Sequence, residues 1–137
     1  SDQTIALGTD KIACQAYRIY QAAFDRAPDA PGLGYWMAKM TSGMDIVEVA
    51  ARFIDSQEFR SLYGSDADNT AFVTLLYNNV LNRAPDTEGY AWWVDQLTNN
   101  AEKTWQKVLS DFSESDENIS NVADLIGSGM VYVAYSV

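Results

Sequence analysis

The chain has 137 residues, 47% of them hydrophobic, which is enough to build the core of one domain or of two small packed halves. Its formal net charge of −10 at pH 7 argues against nucleic acid and anionic membrane surfaces as partners, because both attract basic patches. The sequence has no histidine, which excludes His-based catalytic triads and His metal sites, and no apolar run approaches the roughly 20 residues that span a bilayer.

The N-terminal part predicts one helix after a short lead. Residues 1–4 read SDQT and show no signal peptide, so we expect an excised fragment or a processed form. Apolar residues at helical spacing follow, and they form one face at Ala16, Ile19, Tyr20, Ala23 and Phe24. Cys14 lies on this helix as a small core residue. As the only cysteine, it has no partner for an intrachain disulfide.

The stretch RAPDAPGLGYW at 26–36 predicts a sharp corner between this helix and the next. Arg26 complements the negative C-terminal end of the first helix, and we expect it to bond the Asp29 carboxylate or nearby carbonyls. Pro28 disfavours helix for the residue before it, and Asp29 stands where an N-cap belongs. Gly32 is a poor helix former, so its place in the new helix predicts the close approach of a neighbouring helix.

The same stretch returns 57 residues later as RAPDTEGYAWW at 83–93. The repeated corner residues of this second copy are Arg83, Pro85, Asp86 and Gly89. Further helical faces lie on both sides of it, formed by Ile46, Ala50, Phe53 and Ile54, by Val73, Leu76, Tyr77, Val80 and Leu81, and by Trp105, Val108, Leu109 and Phe112. Downstream the offset becomes 59, so that Glu58 meets Glu117.

This pattern is a tandem duplication within a single domain of residues 1–137, with repeats at about 13–63 and 70–120. We predict an all-α fold of two pseudo-symmetric halves with three to four helices each. Residues 64–69 form the joint, because Gly64 ends a helix and Asp68 or Asn69 begins the next. Residues 128–137 form a short extended tail, in which VYVAY at 131–135 has the composition of a strand but no visible partner.

The aromatic pair in each copy divides into a core residue and a flanking residue. On the second helix of each half, Trp36 and Trp93 share a side with the apolar residues and are expected in the core. Tyr35 and Trp92 lie about 100° away, and we expect them to be half exposed. The alternative for these two rings is packing against the other half or against the tail.

Together these motifs resemble one known family. An aromatic helix ends in LxRAPD, GxxYW follows, and a later helix ends in FxxSxEF and YG; here they read FDRAPDAPGLGYW, FIDSQEFRSLYG and LNRAPDTEGYAWW. The pattern is similar to the bacterial domain-of-unknown-function family numbered 4214, and the closing IGSGMVYVAYSV also looks like that family's ending. In the second copy, Glu117 and Asn118 replace Glu58 and Phe59, so this helix end departs from the pattern.

The resemblance implies a context more than a chemistry. Such domains occur in large secreted bacterial proteins, near calcium-binding glycine-rich repeats, adhesin-like segments or appended enzymes, and the family has some similarity to helical linker domains of cyanobacterial light-harvesting assemblies. We therefore expect a secreted, cell-surface-associated protein. The family offers no catalytic residues to carry over.

From the residues we expect a non-catalytic module that binds an extracellular or cell-surface glycan. Tyr35 and Trp92 would stack on sugar rings, and hydrogen bonds would come from Asp29, Asp86, Glu88, Asp95, Gln96 and Asn99. The alternative is a protein–protein or self-assembly module of a surface layer or adhesin, with other surface-protein domains as partners and the apolar tail as a docking face.

The sequence gives weaker support to two further functions, calcium binding and catalysis. Asp66 and Asp68 in the joint, and the acidic run SESDEN at 113–118, could hold calcium, but the joint lacks the later glycine and glutamate of a helix–loop–helix calcium site, and acidic turns routinely cap helices. An enzyme is not expected, because no nucleophile motif or cofactor fingerprint accompanies the acidic residues.

Overall fold

A computed structural model of the chain describes residues 3–64 and 66–135, and in that part it is almost entirely helical, which confirms the all-α class. Four helices precede the joint and four follow it. They are α1 (Lys11–Phe24), α2 (Ala30–Thr41), α3 (Ile46–Ile54), α4 (Gln57–Tyr63), α5 (Asn69–Val80), α6 (Thr87–Asn99), α7 (Trp105–Ser113) and α8 (Asp116–Gly127). Two short strands, β1 (Gln3–Ala6) and β2 (Met130–Val133), lie outside the helices in sequence.

Every one of these helices begins at a short polar side chain that accepts a hydrogen bond from the backbone N–H three residues later. The eight N-caps are Asp10, Asp29, Asp45, Ser56, Asp68, Asp86, Thr104 and Ser115. A cap of this kind satisfies an N–H group that has no partner within the helix. Each helix start therefore depends on residues that are close together in the sequence, so the spacing of these residues is enough to place it.

The two halves share one core around α1. This helix packs against α2, α3 and α4 of its own half and against α5, α7 and α8 of the other, and α3 packs against α7. Both α3 and α7 carry small and branched residues that are fully buried, including Val49, Ala50, Val108 and Leu109. Burial of these side chains supplies the main driving force for association of the halves.

The tail has a strand partner, so the expectation that it has none is wrong. β2 pairs antiparallel with β1, with Gln3 opposite Val133 and Ala6 opposite Met130. We call the two strands the terminal ribbon. The sequence QTIA of β1 is too short to show a strand period, and its partner lies at the other end of the chain, so a reading along the sequence misses the pair.

The terminal ribbon covers α2 and leaves α6 uncovered. β2 packs against α2 so closely that a Cβ atom on the buried Gly34 would overlap the Val133 carbonyl oxygen. The residue at the matching repeat position on α6 is Ala91, which is exposed. No residue of α6 is fully buried, and this helix packs chiefly against α5. The pseudo-symmetry of the halves stays a prediction, and on this side the two differ.

Candidate functional site

The arginine of each repeated corner binds a glutamate from a distant helix. Arg26 donates from Nε and Nη2 to the two carboxylate oxygens of Glu58, at 2.8 and 3.0 Å. Arg83 makes the same pair of bonds to Glu117, at 2.8 and 3.1 Å. Such a bidentate pair fixes both position and orientation. Each corner is thereby tied to the first turn of the last helix in its own half.

The aspartate that the sequence predicts as the partner of each arginine makes a longer contact than the glutamate does. Arg26 Nη1 lies 3.9 Å from the Asp29 carboxylate and donates to the Ala27 carbonyl at 3.3 Å, and Arg83 Nη1 lies 3.4 Å from the Asp86 carboxylate. The glutamates were missed, although their alignment at an offset of 59 was a signal. Glu117 plays the part of Glu58 even though the second copy departs from the family pattern there.

The aspartates of the corners are occupied as N-caps. Asp29 accepts from the Gly32 N–H at 3.2 Å and Asp86 from the Gly89 N–H at 3.0 Å, and Pro28 and Pro85 lie just before them, half-buried. A Cβ on Gly32 would lie 2.8 Å from the Asp29 carboxylate. The group that comes close to Gly32 is therefore its own cap and not a neighbouring helix. At Gly89 a neighbouring helix does approach, because a Cβ there would lie 2.6 Å from the Tyr77 hydroxyl of α5.

Electrostatics keep the second corner ionised. Bonds from Arg83 lower the pKa of Glu117, and the Gly89 backbone N–H, which Asp86 caps, lowers the pKa of Asp86. Stabilising bonds to the charged form of a carboxyl group act in this direction. At neutral pH both groups are hydrogen-bond acceptors, and neither is tuned as a general acid.

The two flanking aromatics have different surroundings. Tyr35 is half-buried, and its ring packs edge to face on Tyr135 of the tail, with centroids 4.8 Å apart. The Lys39 ammonium lies 5.3 Å from the centroid of the same ring. Trp92, in contrast, is 50% exposed and contacts Trp93 edge to face at 4.7 Å. The tail thus covers the aromatic of the first half and leaves that of the second half accessible.

The predicted polar partners on α6 lie around Trp92. Glu88, Asp95 and Asn99 are exposed, and their spacing of four, three and seven residues from Trp92 puts them on its side of the helix. Asn99 donates to Asp95 at 2.7 Å. Asp29 lies at the other corner, where it also accepts from the Tyr20 hydroxyl at 3.2 Å, so it does not join the α6 group.

A surface cavity of about 160 Å³ lies in the second half, and Trp93, which Trp92 contacts, is one of its walls. Its apolar walls are formed by Tyr77, Leu81, Trp93 and Phe112. Its polar groups come from Arg83, Asp111, Ser115 and Glu117. Sequence reasoning missed the cavity, because Asp111 and Ser115 belong to α7 and the turn after it, far from the repeated stretch.

The aspartates of the joint serve the helix that follows. Asp68 accepts from the Ala71 N–H at 2.9 Å and from the Thr70 hydroxyl at 2.7 Å, and the N–H bond lowers its pKa. Asp66 is exposed, and residue 65 lies outside the described residues. Within 3–64 and 66–135, no three side chains of Asp, Glu, Cys or His are grouped as a metal site, and calcium stays a prediction.

None of the helices described here has the length and apolarity to cross a membrane.

Comparison with known proteins gives one matching family. The sequence profile of the family described as "Domain of unknown function (DUF4214)" matches residues 15–58 and 50–122. No curated protein matches the chain, and no solved structure matches it. The two matches together span most of the sequence and include both repeated corners, so the chain belongs to the DUF4214 family.

Proposed function

We propose that this domain is a non-catalytic carbohydrate-binding module of a secreted bacterial surface or adhesin-type protein, and that α6 carries its binding surface. The observation that supports the proposal is the exposure of Trp92. Tryptophan offers one of the largest apolar faces among the side chains and is ordinarily well buried. Trp92 is 50% exposed on a helix that packs chiefly against α5 and has no fully buried residue.

The neighbours of Trp92 suit a sugar better than an apolar ligand. A sugar ring has an apolar C–H face that stacks on an indole and a rim of hydroxyl groups that need hydrogen-bond partners. Glu88 and Asp95 supply carboxylate acceptors, and Asn99 supplies an amide. An entirely apolar ligand would have to desolvate these groups without compensation, which costs free energy.

The test is a binding measurement on the purified domain with a Trp92→Ala variant. We expect binding to at least one member of a panel of bacterial polysaccharides and simple glycosides, and a loss of at least tenfold in affinity in Trp92→Ala, measured by isothermal titration calorimetry. Leu125→Ala is the control, because Leu125 is also an exposed apolar residue on a helix (58% exposed) but lies on α8.

Two results would contradict the proposal. One is silence of the folded parent domain across the panel. The other is equal affinity in the parent and in Trp92→Ala, which would remove the indole from the site.

A second candidate function, docking onto a protein or onto another copy of the domain, is favoured by the terminal ribbon. Its outer face carries Ile5 opposite Val131, and these side chains are 62% and 43% exposed. Leu7, at 66%, follows directly. Apolar groups gathered on one exposed face are typical of protein contacts. Concentration-dependent sedimentation that disappears in Val131→Lys would support this function, and a monomer at all concentrations would contradict self-assembly.

A further inference from the structure

The cavity of the second half lies where the first half has an aromatic ring. In the repeat, Leu81 stands at the position of Phe24. Phe24 is buried between Tyr20 and Phe53, with ring centroids 5.0 and 4.9 Å apart, and the Arg26 guanidinium lies 6.0 Å from its centroid. Leucine is smaller and has no ring, so the matching space in the second half is open to solvent.

The hydrogen bonds around this space also differ between the halves. In the first half, Arg26 Nη2 donates to the Tyr20 hydroxyl at 2.7 Å, and this hydroxyl donates to Asp29 at 3.2 Å. Within the described residues of the second half, Tyr77 makes neither the corresponding bond to Arg83 nor the one to Asp86. Tyr77 is nonetheless only 4% exposed and lines the cavity. Its hydroxyl thus lacks the two partners that hold its counterpart and lies instead against Gly89 of α6, 2.6 Å from the position of an added Cβ.

We propose that this cavity holds one six-membered sugar ring of the bound glycan, at a place that the Phe24 ring occupies in the first half. The inference rests on the proposed function and adds to it the position and size of the sugar-recognition pocket. Trp92 contacts Trp93, which is a wall of the cavity, so a neighbouring sugar unit would lie on the indole of Trp92.

The size of the cavity fits a single ring. A cavity of about 150 Å³ is known to accept one benzene molecule, and this one measures about 160 Å³. Unlike a benzene site, it has a polar rim, so a bare hydrocarbon would displace water from charged groups without replacing its hydrogen bonds. The six-membered ring of a sugar would rest on the apolar walls, and its hydroxyl groups would reach the rim and the open side of the cavity.

The rim is held in place before any ligand binds. Lys103 and Lys107 both donate to Asp111, at 2.6 and 2.7 Å, and Arg83 holds Glu117. A carboxylate has about four acceptor positions, so both acids keep room for sugar hydroxyls. Groups fixed in this way lose little freedom on binding, which favours affinity for a small ligand.

The test exchanges the residues that the two halves carry at this position. Leu81→Phe places the first half's own residue in the cavity, and Phe24→Leu makes the opposite change in the first half. The probes are the methyl pyranosides of glucose, galactose and mannose, together with N-acetylglucosamine, titrated by NMR. We expect Leu81→Phe to weaken the binding of the recognised sugar at least tenfold and Phe24→Leu to keep the affinity of the parent.

A measurement on the parent keeps the test independent of variant folding. Intermolecular nuclear Overhauser effects from sugar protons to the rings of Trp93 and Phe112 are expected. Sugar binding that is equal in the parent and in folded Leu81→Phe would overturn the pocket while leaving glycan binding at Trp92 intact. Overhauser effects to Trp92 alone would do the same. A parent that binds none of the polysaccharides or glycosides would overturn both proposals.

Discussion

Arg26 and Arg83 each bind a glutamate from the far end of their own half, 32 and 34 residues away. These pairs are about 40% exposed on both sides, and ion pairs at such positions contribute at most about 1 kcal/mol to stability. Their importance lies in geometry, because a bidentate pair orients the corner against the start of the last helix. The RAPD stretch is therefore a corner device, and its arginine and aspartate are already engaged.

The Glu117 pair predicts a pH-dependent contribution to stability. Arg83 lowers the pKa of Glu117 in the folded state, so the stabilisation is complete above the ordinary glutamate value of 4.5 and is lost as the pH falls through the lowered pKa. We expect Glu117→Gln to reduce the free energy of unfolding at pH 7 by less than about 1 kcal/mol. This difference from the parent should shrink as the solution is acidified below pH 4.5.

Urea unfolding at a series of pH values measures this difference. Glu102→Gln is the control, since Glu102 is exposed after α6 and its carboxylate joins no ion pair among the described residues. A difference between the parent and Glu117→Gln that stayed constant from neutral to acidic pH would show that the ion pair contributes nothing.

The sequence predicts features of this scale unequally. An N-cap depends on residues three apart, so Asp29 and Asp86 could be placed by spacing alone. The glutamate partners depend on how the chain returns in space, and a carboxylate one turn away was the nearest guess. Arg26 and Arg83 bind the distant glutamate because both of its carboxylate oxygens accept in parallel. The cap carboxylate, in contrast, already accepts a hydrogen bond from a backbone N–H.

At the scale of elements, α2 and α6 follow the same corner but have different neighbours. The terminal ribbon lies on α2, where the Val133 carbonyl oxygen occupies the space that a Cβ on Gly34 would fill. On α6 the matching Ala91 faces solvent, and Asp95 stands where α2 has the half-buried Ala38. A charged residue at this position disfavours the packing of a second ribbon on α6. This agrees with the proposed use of α6 as a surface for a hydroxylated ligand.

Gly34→Ala is predicted to loosen the terminal ribbon. The added Cβ would overlap the Val133 carbonyl oxygen, and since the obstacle is backbone, the strand itself must shift. Overpacking of this kind costs about 1–3 kcal/mol. We expect that loss in chemical unfolding, together with faster amide exchange in β1 and β2.

Gly127→Ala is the matched control for this change, because a Cβ on this helical glycine meets nothing within 4 Å. Alanine in place of an unstrained helical glycine is neutral or slightly stabilising. If Gly34→Ala were as stable as Gly127→Ala, with unchanged exchange in both strands, the close contact between ribbon and helix would not exist in solution.

The helices could be predicted, whereas the ribbon and the cavity could not. Helical faces such as the one from Ala16 to Phe24 repeat within a few residues and are visible in the sequence. The ribbon depends on pairing between the two ends of the chain. The cavity depends on a ring that is missing at Leu81, and a smaller apolar residue in a helical face looks in the sequence like any other core residue.

For the whole molecule, the halves are joined by more than apolar contact. Arg18 of α1 donates to both carboxylate oxygens of Glu114 at 2.8 and 2.7 Å, and this pair is largely buried. The fully buried Asn118 donates to the Ser113 carbonyl at 2.9 Å and lies 3.3 Å from Gln21 of α1. A break in such a buried contact leaves polar groups without partners, so neither half can separate from the other at low cost.

These contacts imply a division of labour between similar halves. The first half fills its corner with Phe24 and places its flanking aromatic under the tail. The second half keeps the same corner but leaves a cavity at Leu81 and an exposed ring at Trp92. Under the proposed function, one half completes the scaffold and the other presents the proposed ligand surface, which the shared core holds in place.

We therefore expect the domain to unfold in a single cooperative transition. Val49→Ala in α3 and Val108→Ala in α7 each remove methyl groups from fully buried positions in opposite halves, at an expected cost of about 1–3 kcal/mol. Because α3 and α7 pack on each other, both variants should lower the one transition temperature seen by calorimetry, by far-UV circular dichroism and by tryptophan fluorescence.

The calorimetric and van't Hoff enthalpies should agree, with a heat-capacity increment of roughly 1.6–2.1 kcal/mol/K for the whole chain. Two transitions, or a variant that shifts one probe and not another, would mean that the halves fold independently and that the proposed ligand surface does not depend on the first half.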